Sequence, residues 1–190
     1  MDDKHNNLLG DRTLSRDALL DKVTIKKTDK NDIDKVCEII TDTFNLSSVF
    51  EAHQQMENAK VLIDESVKLV DKENDDIYGI LTFCDYPLSI GSPIESIEAN
   101  LCEYLGRYKQ VNGHSFIIDK RLRNTNLDKK MLNFNLDYLR ENYDLIWCGV
   151  ASDLKSQNYW KKLGFVELLT IPQASFFLLP LSEKMIREYL

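Results

Sequence analysis

The chain is poor in the residues that break regular structure. Seven glycines and four prolines in 190 residues exclude a collagen-like repeat and a Pro/Gly-rich disordered chain. There are four cysteines, Cys37, Cys84, Cys102 and Cys148, standing singly with no Cys-x-x-Cys pair and no histidine partner nearby. That pattern argues against a disulfide framework and a metal site, and predicts reduced thiols in a cytoplasmic protein. No apolar run approaches the roughly 20 residues that cross a bilayer. The start, Met-Asp-Asp-Lys-His-Asn-Asn, has no apolar signal core, so neither secretion nor a membrane partner is expected. Positive charge is in deficit as well: 24 Lys and Arg against 31 Asp and Glu give a net charge of −7. Nucleic-acid binders display clustered basic surface that releases counterions, so no nucleic-acid partner is expected. The acidic balance either serves solubility or favours a cationic substrate.

What is present, 43% hydrophobic and 29% charged residues, is enough for one packed core. The expected organisation is a tail with a short helix over residues 1–20 and a single domain over 21–190. Leu14, Ala18, Leu19 and Leu20 suggest the short helix. Val23 and Ile25 alternate as in a strand, and Asp29-Lys-Asn-Asp32 is a capping pattern before a helix bearing Ile33, Val36, Cys37, Ile40 and Phe44. A second helix is expected over 47–65, then strands around 67–70 and 77–84 flanking the charged turn 71–76 as an antiparallel hairpin. Residues 93–105 keep helical spacing. A short strand is expected at 115–119 and a long helix at 127–141, with Leu127, Met131, Leu132, Leu136 and Leu139 inward. The continuous apolar run 145–150 reads as a strand buried on both faces. A further helix is expected from an Asp153 cap to Gly164, where glycine can take the left-handed conformation. Strands at 165–170 and 175–179 and a short amphipathic tail complete the chain. The predicted fold is mixed α/β (α+β): a central sheet of about six to seven strands flanked by helices, with an extra helix before the fourth strand.

Between the strand at 115–119 and the following helix lies the polar loop Arg121-Leu122-Arg123-Asn124-Thr125-Asn126-Leu127-Asp128-Lys129-Lys130-Met131-Leu132. A strand that ends in a loop opening directly into a helix is an anion site, because loop and first-turn N–H groups converge there. The segment resembles the signature of the GNAT (Gcn5-related N-acetyltransferase) superfamily, Arg/Gln-x-x-Gly-x-Gly/Ala followed by an apolar helix face. Placing Arg123 on the signature Arg sets Asn126 and Asp128 on the two small residues and Met131 with Leu132 on the apolar pair. Starting from Arg121 leaves lysines where the helix needs apolar residues. Asn is the non-glycine residue best able to adopt positive φ, so Asn124 and Asn126 are expected to hold the loop's shape. Asp128 has two readings: a first-turn carboxylate favoured at a helix N-terminus, or a charge that repels a pyrophosphate. Arg123, Lys129 and Lys130 either offset that repulsion or are solvated surface charges.

Two more segments carry the resemblance. Residues 153–165 are similar to the family's junction Asn-x-x-Ala-x-x-x-Tyr-x-Lys-Leu-Gly-Phe, with Lys162-Leu163-Gly164-Phe165 matching residue for residue. Residues 69–81 look like the family's hairpin, with Gly79 on the third strand. The resemblance covers 23 to about 180. It implies the GNAT fold and an acyl-CoA-dependent N-acetyltransferase. Acetyl-CoA would be the acyl donor and the acceptor a primary amine of a small molecule, peptide or protein, in a monomer or homodimer without a metal. Its alternative is a GNAT-fold acyl-CoA-binding or interaction protein with little or no transferase activity.

The same resemblance implies roles for particular residues. The backbone of Phe116, Ile117, Ile118 and Asp119 would pair with the pantetheine arm, and Arg123, Asn124, Thr125, Asn126, Leu127, Asp128 and Lys129 would hold the pyrophosphate. Asp153, Ser156 and Trp160 complete the implied cofactor contacts. Trp160 stands where many members carry an acidic Tyr; its indole N–H can donate a hydrogen bond but cannot give up a proton to a thiolate. Tyr159 lies about 100° round the helix and is either a packing residue or a substitute acid. His114 is the candidate base, since a neutral imidazole suits proton abstraction, or else a turn residue. Glu98, Glu103 and Tyr104 are alternatives that could recognise a cationic amine. His5 and His53 are expected at the surface.

Overall fold

Ser15 caps the first helix of the described residues by accepting the Ala18 N–H at its hydroxyl, 3.4 Å away, the service a polar N-cap gives an orphan first-turn donor. The computed structural model describes residues 15–85, 103–151, 154–172 and 174–189. Helix α1 (Arg16–Lys22) runs into β1 (Val23–Lys27), followed by α2 (Ile33–Phe44), α3 (Val49–Asn58), β2 (Val67–Asp71), β3 (Ile77–Cys84) and β4 (Gln110–Ile118). Then come α4 (Leu127–Asn142), β5 (Leu145–Ala151), α5 (Leu154–Lys162), β6 (Val166–Thr170), β7 (Ala174–Pro180) and α6 (Glu183–Tyr189). The strands make one mixed seven-stranded sheet in the order β1-β2-β3-β4-β5-β7-β6, the mixed α/β architecture expected from the periodicities. The chain forms two compact units: residues up to Phe83 with His114–Asn135, and Cys84–Gly113 with Leu136–Leu190.

In the first unit β1 pairs antiparallel with β2, from Val23 opposite Asp71 to Lys27 opposite Val67. The expected hairpin of β2 and β3 is antiparallel too. Every residue of both strands is buried, so polar members need partners inside. Lys68 meets Asp32 at 2.6 Å, and Asp32 also accepts the Asp29 N–H at 2.8 Å in the capping box read from the sequence. The core joins Val36, Cys37, Ile39 and Ile40 of α2 and Ala52 and Met56 of α3 to Ile80 and Ile117 of the sheet. Burial, with the Asp34 charge second, pushes the Cys37 thiol up to about 11. The helix expected over 47–65 is shorter: α3 stops at Asn58, Lys60 turns to a φ of 52°, and a 3-10 turn occupies Ile63–Glu65. The strand expected to start at 115 begins at Gln110, which places His114 inside a strand and not at its start.

The second unit is built on β5. Leu145–Trp147 pair parallel with Gln110–Asn112, and the whole of β5 pairs antiparallel with β7. Strand β6 adds antiparallel to β7. Leu105, Leu145, Trp147, Phe176, Leu178 and Met185 form its core. Helix α5 ends as the sequence predicts, with Gly164 at a φ of 97°. The Phe165 N–H donates to Trp160 O and the Gly164 N–H to Lys161 O, both at 3.1 Å, which is the paired 6→1 and 5→2 bonding of a Schellman end. Cys148 is buried and its thiol is pushed up by burial. Cys37, Cys84 and Cys148 are all free thiols. Of the helix expected over 93–105, residues 103–105 are helical. Residues 93–102 with Glu98 and Cys102, the Asp153 cap, and the tail to residue 14 with His5 lie outside the described residues.

Candidate functional site

The loop after β4 is held from both ends. At its near end the Asp119 N–H donates to Tyr78 O at 2.8 Å and the Asp119 carbonyl accepts the Leu122 N–H at 2.9 Å. The carboxylate of Asp119, a residue 4% exposed, accepts three bonds from one residue: Arg121 N at 2.8 Å, Nε at 3.0 Å and Nη2 at 2.7 Å. The guanidinium also lies 5.9 Å over the Tyr78 ring. Arg121 is thus committed to the strand end, a physical reason for assigning Arg123, not Arg121, to the loop. Gly79 lets β3 approach: a Cβ there would stand 3.0 Å from the Ile117 carbonyl oxygen and 3.3 Å from Ile118 Cγ1.

Beyond this clamp the chain turns twice through left-handed conformations, at Asn124 (φ 61°) and Asn126 (φ 63°). Both were expected from the tolerance of Asn for positive φ. Thr125 Oγ1 donates to Leu122 O at 2.5 Å, Arg123 Nε to Ile118 O at 3.2 Å, and Lys130 N to Asn126 O at 3.0 Å, which starts the helix. The leading N–H groups of α4 have no backbone acceptor within the helix. Asp128 Oδ1 accepts the Lys129 N–H at 2.8 Å, so its carboxylate acts as a first-turn partner of its own helix. Arg123, Lys129 and Lys130 are exposed.

His114 is half-buried in β4, in the same unit. Its Nδ1 lies 3.0 Å from Ser115 Oγ and 3.4 Å from Thr82 Oγ1, and Thr82 Oγ1 in turn accepts the Ser115 N–H at 3.1 Å. Burial lowers the His114 pKa from its ordinary value, keeping the ring neutral at neutral pH. With Nδ1–H donated to Ser115, Nε2 is the basic nitrogen; with Ser115 as donor, Nε2 carries the proton.

In the second unit, Trp160 packs edge-to-face on Phe165 with ring centroids 4.9 Å apart, and Tyr159 meets Trp160 at 5.8 Å. The Trp160–Phe165 contact is the apolar pair that accompanies a Schellman end, so the Trp ring has a packing role whatever else it does. Glu103 pairs with Arg107 at 3.0 Å on exposed surface. The Tyr104 hydroxyl meets that of Tyr108 at 3.0 Å, and Lys184 Nζ sits 4.6 Å from the Tyr108 ring. His53 pairs with Asp34 at 3.0 Å. Among the described residues no group of three or more His, Cys, Asp or Glu could hold a metal, and no helix is long and apolar enough to cross a membrane.

No protein-family model matches the sequence and no curated protein matches it. Solved structures do. The N-acyl amino acid synthase FeeM from uncultured soil microbes superposes with a TM-score of 0.62 at 19% identity, over 89% of this chain and 96% of its own. Ard1 from Thermoplasma volcanium gives 0.60 at 15% identity, over 85% and 99%. The GNAT family N-acetyltransferase YhbS from Escherichia coli, in complex with CoA, gives 0.60 at 14%, over 88% and 86%.

The chain has the GNAT fold.

Within that GNAT fold, the residues from His114 to Lys129 lie together in the first unit, and Tyr159, Trp160, Glu103 and Tyr104 belong to the second. Sequence reading missed three features of the GNAT-fold loop and its surroundings. The Asp119–Arg121 clamp had a local signal, an Asp ahead of a short turn. Asn135, 1% exposed, donates to Glu65 O at 2.5 Å and accepts from Lys27 Nζ; a polar residue on an apolar helix face was its only sign. Arg16, bonded to the Asn124 carbonyl, had none, because its partner lies far along the chain.

Proposed function

We propose that this GNAT-fold chain is an acyl-CoA-dependent N-acyltransferase that moves an acetyl group from acetyl-CoA to a primary amine of a small molecule, peptide or protein. The observation that carries the reading is the loop after β4, where Asn124 and Asn126 sit at φ 61° and 63°. There they hold the backbone shape that the glycine signature would otherwise supply. The residues present fit an anionic group: first-turn N–H donors of α4 beside the exposed cations Arg123, Lys129 and Lys130. When bound, acetyl-CoA supplies an acyl group activated as a thioester. The chain's own task is to hold the phosphates at 123–129, lay the arm along 116–119, and take one proton from the acceptor ammonium, so that the neutral amine forms the C–N bond as the C–S bond breaks and its second proton passes to the departing thiolate. His114, neutral and seated in β4, is the candidate for that proton, through Nε2 in the tautomer whose Nδ1–H donates to Ser115.

The test is a thermal shift titration with CoA and acetyl-CoA. Ligand at about 100 times its dissociation constant adds roughly 2.7 kcal/mol. At about 2–4 °C per kcal/mol for a chain of this size, that is a rise of about 5–10 °C. No rise at millimolar ligand sinks the reading. Free-thiol release across an amine panel then measures transfer. Binding with no thiol release on any amine would replace the enzyme by the non-transferring alternative.

A further inference from the structure

The helix that precedes the first strand brings a further cation to the loop. Arg16 opens α1, and its Nη2 donates to the Asn124 carbonyl oxygen at 3.2 Å, across 108 positions of sequence. Helix α1 is fixed in the first unit. Leu19 is fully buried, and the Lys72 N–H donates to Lys22 O at 2.9 Å. The helix packs on the turn Lys120–Leu122, whose Leu122 is likewise fully buried. The guanidinium has five donors in a planar fork. The bond to Asn124 uses one, and the side chain is exposed, so other donors face outward beside the loop.

Resting on the acyl-CoA reading above, we propose that Arg16 is a further binding residue of that site and contacts a phosphate of CoA. Three features support it. The residue is anchored to the backbone of the loop itself, so less side-chain freedom remains to be lost when a ligand binds. Its planar, permanently charged fork suits a phosphate better than a flexible ammonium does. The loop also carries Asp128, whose negative charge next to an anion calls for added positive charge, and Arg16 supplies it from an element outside the loop.

Calorimetric titration of the full chain with CoA and with dephospho-CoA tests this on wild type, R16A, R16Q and R16K. The expected result is CoA binding weakened on the order of tenfold in R16A and R16Q, with R16K between them and wild type. Melting temperature without ligand should stay nearly unchanged, as for an exposed substitution. Dephospho-CoA separates the sources. A tenfold loss that persists with it assigns the contact to the pyrophosphate, and a loss seen only with CoA assigns it to the ribose phosphate. R16A binding CoA as wild type does overturns the proposal. So does R16Q retaining wild-type affinity, since Gln keeps a neutral donor for Asn124 and lacks the charge. Wild type failing to bind CoA would instead bring down the acyl-CoA reading and this inference with it.

Discussion

Replacing Asp119 probes the clamp that sets the loop's starting point. Its side chain is 5% exposed and that of Arg121 20%. In Asp119→Ala three hydrogen bonds vanish at once: the guanidinium loses its anion, and the turn Lys120–Leu122 loses the side chain that takes the Arg121 N–H. Breaking a buried pair from one side costs about 3–5 kcal/mol. Arg121 keeps some solvent and the face of Tyr78, which places the expected loss near the lower end, about 3 kcal/mol. Asp119→Asn retains one oxygen for the turn and deletes the charge, for about half of that. At about 2–4 °C per kcal/mol the alanine variant melts about 6–12 °C lower. Urea denaturation measures the loss directly, with an unchanged slope if only the folded state is affected. A double-mutant cycle with Arg121→Ala should show coupling on the order of 1–2 kcal/mol, so the double variant loses clearly less than the two singles together. Additive losses, or an alanine variant within about 0.5 kcal/mol of wild type, would mean the pair behaves as a solvent-screened surface contact and would refute the reasoning.

Asp128→Gly should tighten CoA binding, read by calorimetry, while lowering stability by about 1–2 kcal/mol, because a favourable first-turn carboxylate is exchanged for the weakest ordinary helix former; weaker binding would show that the carboxylate helps to hold the ligand. For His114, burial holds the folded pKa below the ordinary 6.5. Its contribution to stability is therefore complete above 6.5 and declines as pH falls below it, where the unfolded chain takes up the proton first. His114→Gln should flatten that slope in urea midpoints and, if the ring is the base, lower turnover by about 10²–10⁴; unchanged turnover excludes it as the base. Gly164→Ala should cost about 1–2 kcal/mol from backbone strain alone, since a Cβ there meets nothing nearer than Leu179 Cδ1 at 3.8 Å; a melting temperature equal to wild type would contradict the left-handed helix end.

The fold was legible where short-range physics decides it. Leu127, Met131, Leu132 and Leu139 share the buried face of α4 because helical spacing puts them there. Gly164 ends α5 because only glycine takes φ 97° without strain. The capping box at Asp29 and Asp32 was readable for the same reason, since both partners lie within one turn. What was not legible depends on residues distant in sequence. Strand β4 begins five residues before the expected start at Ser115, where Gln110 and Asn112 are buried polar residues. Gln110 is satisfied by the Leu105 carbonyl and Asn112 by that of Trp147. Nothing local marks them as strand. The loop was legible from its place between strand and helix, and its left-handed turns from the tolerance of Asn for positive φ. Its restraints from Tyr78 and Arg16 come from other parts of the chain and leave no mark in its own residues.

The loop's departures from glycine follow one physical logic. Two asparagines keep the left-handed turns, and Asp128 satisfies the Lys129 N–H, which the proposed site would offer to an anion. The loop is therefore partly self-satisfied. An anion that takes the Lys129 N–H must displace a carboxylate and lose one charge-assisted hydrogen bond, about 1.5–3 kcal/mol or about 10–150-fold in affinity. In the proposed site, Arg123 and Arg16 are the charges that would offset that loss. Affinity for CoA should accordingly fall in the order Asp128→Gly, wild type, Arg16→Ala, and the double variant Asp128→Gly with Arg16→Ala should return toward wild type. If the double variant instead binds as weakly as Arg16→Ala alone, Asp128 does not oppose the anion, and its carboxylate serves only the first turn of α4.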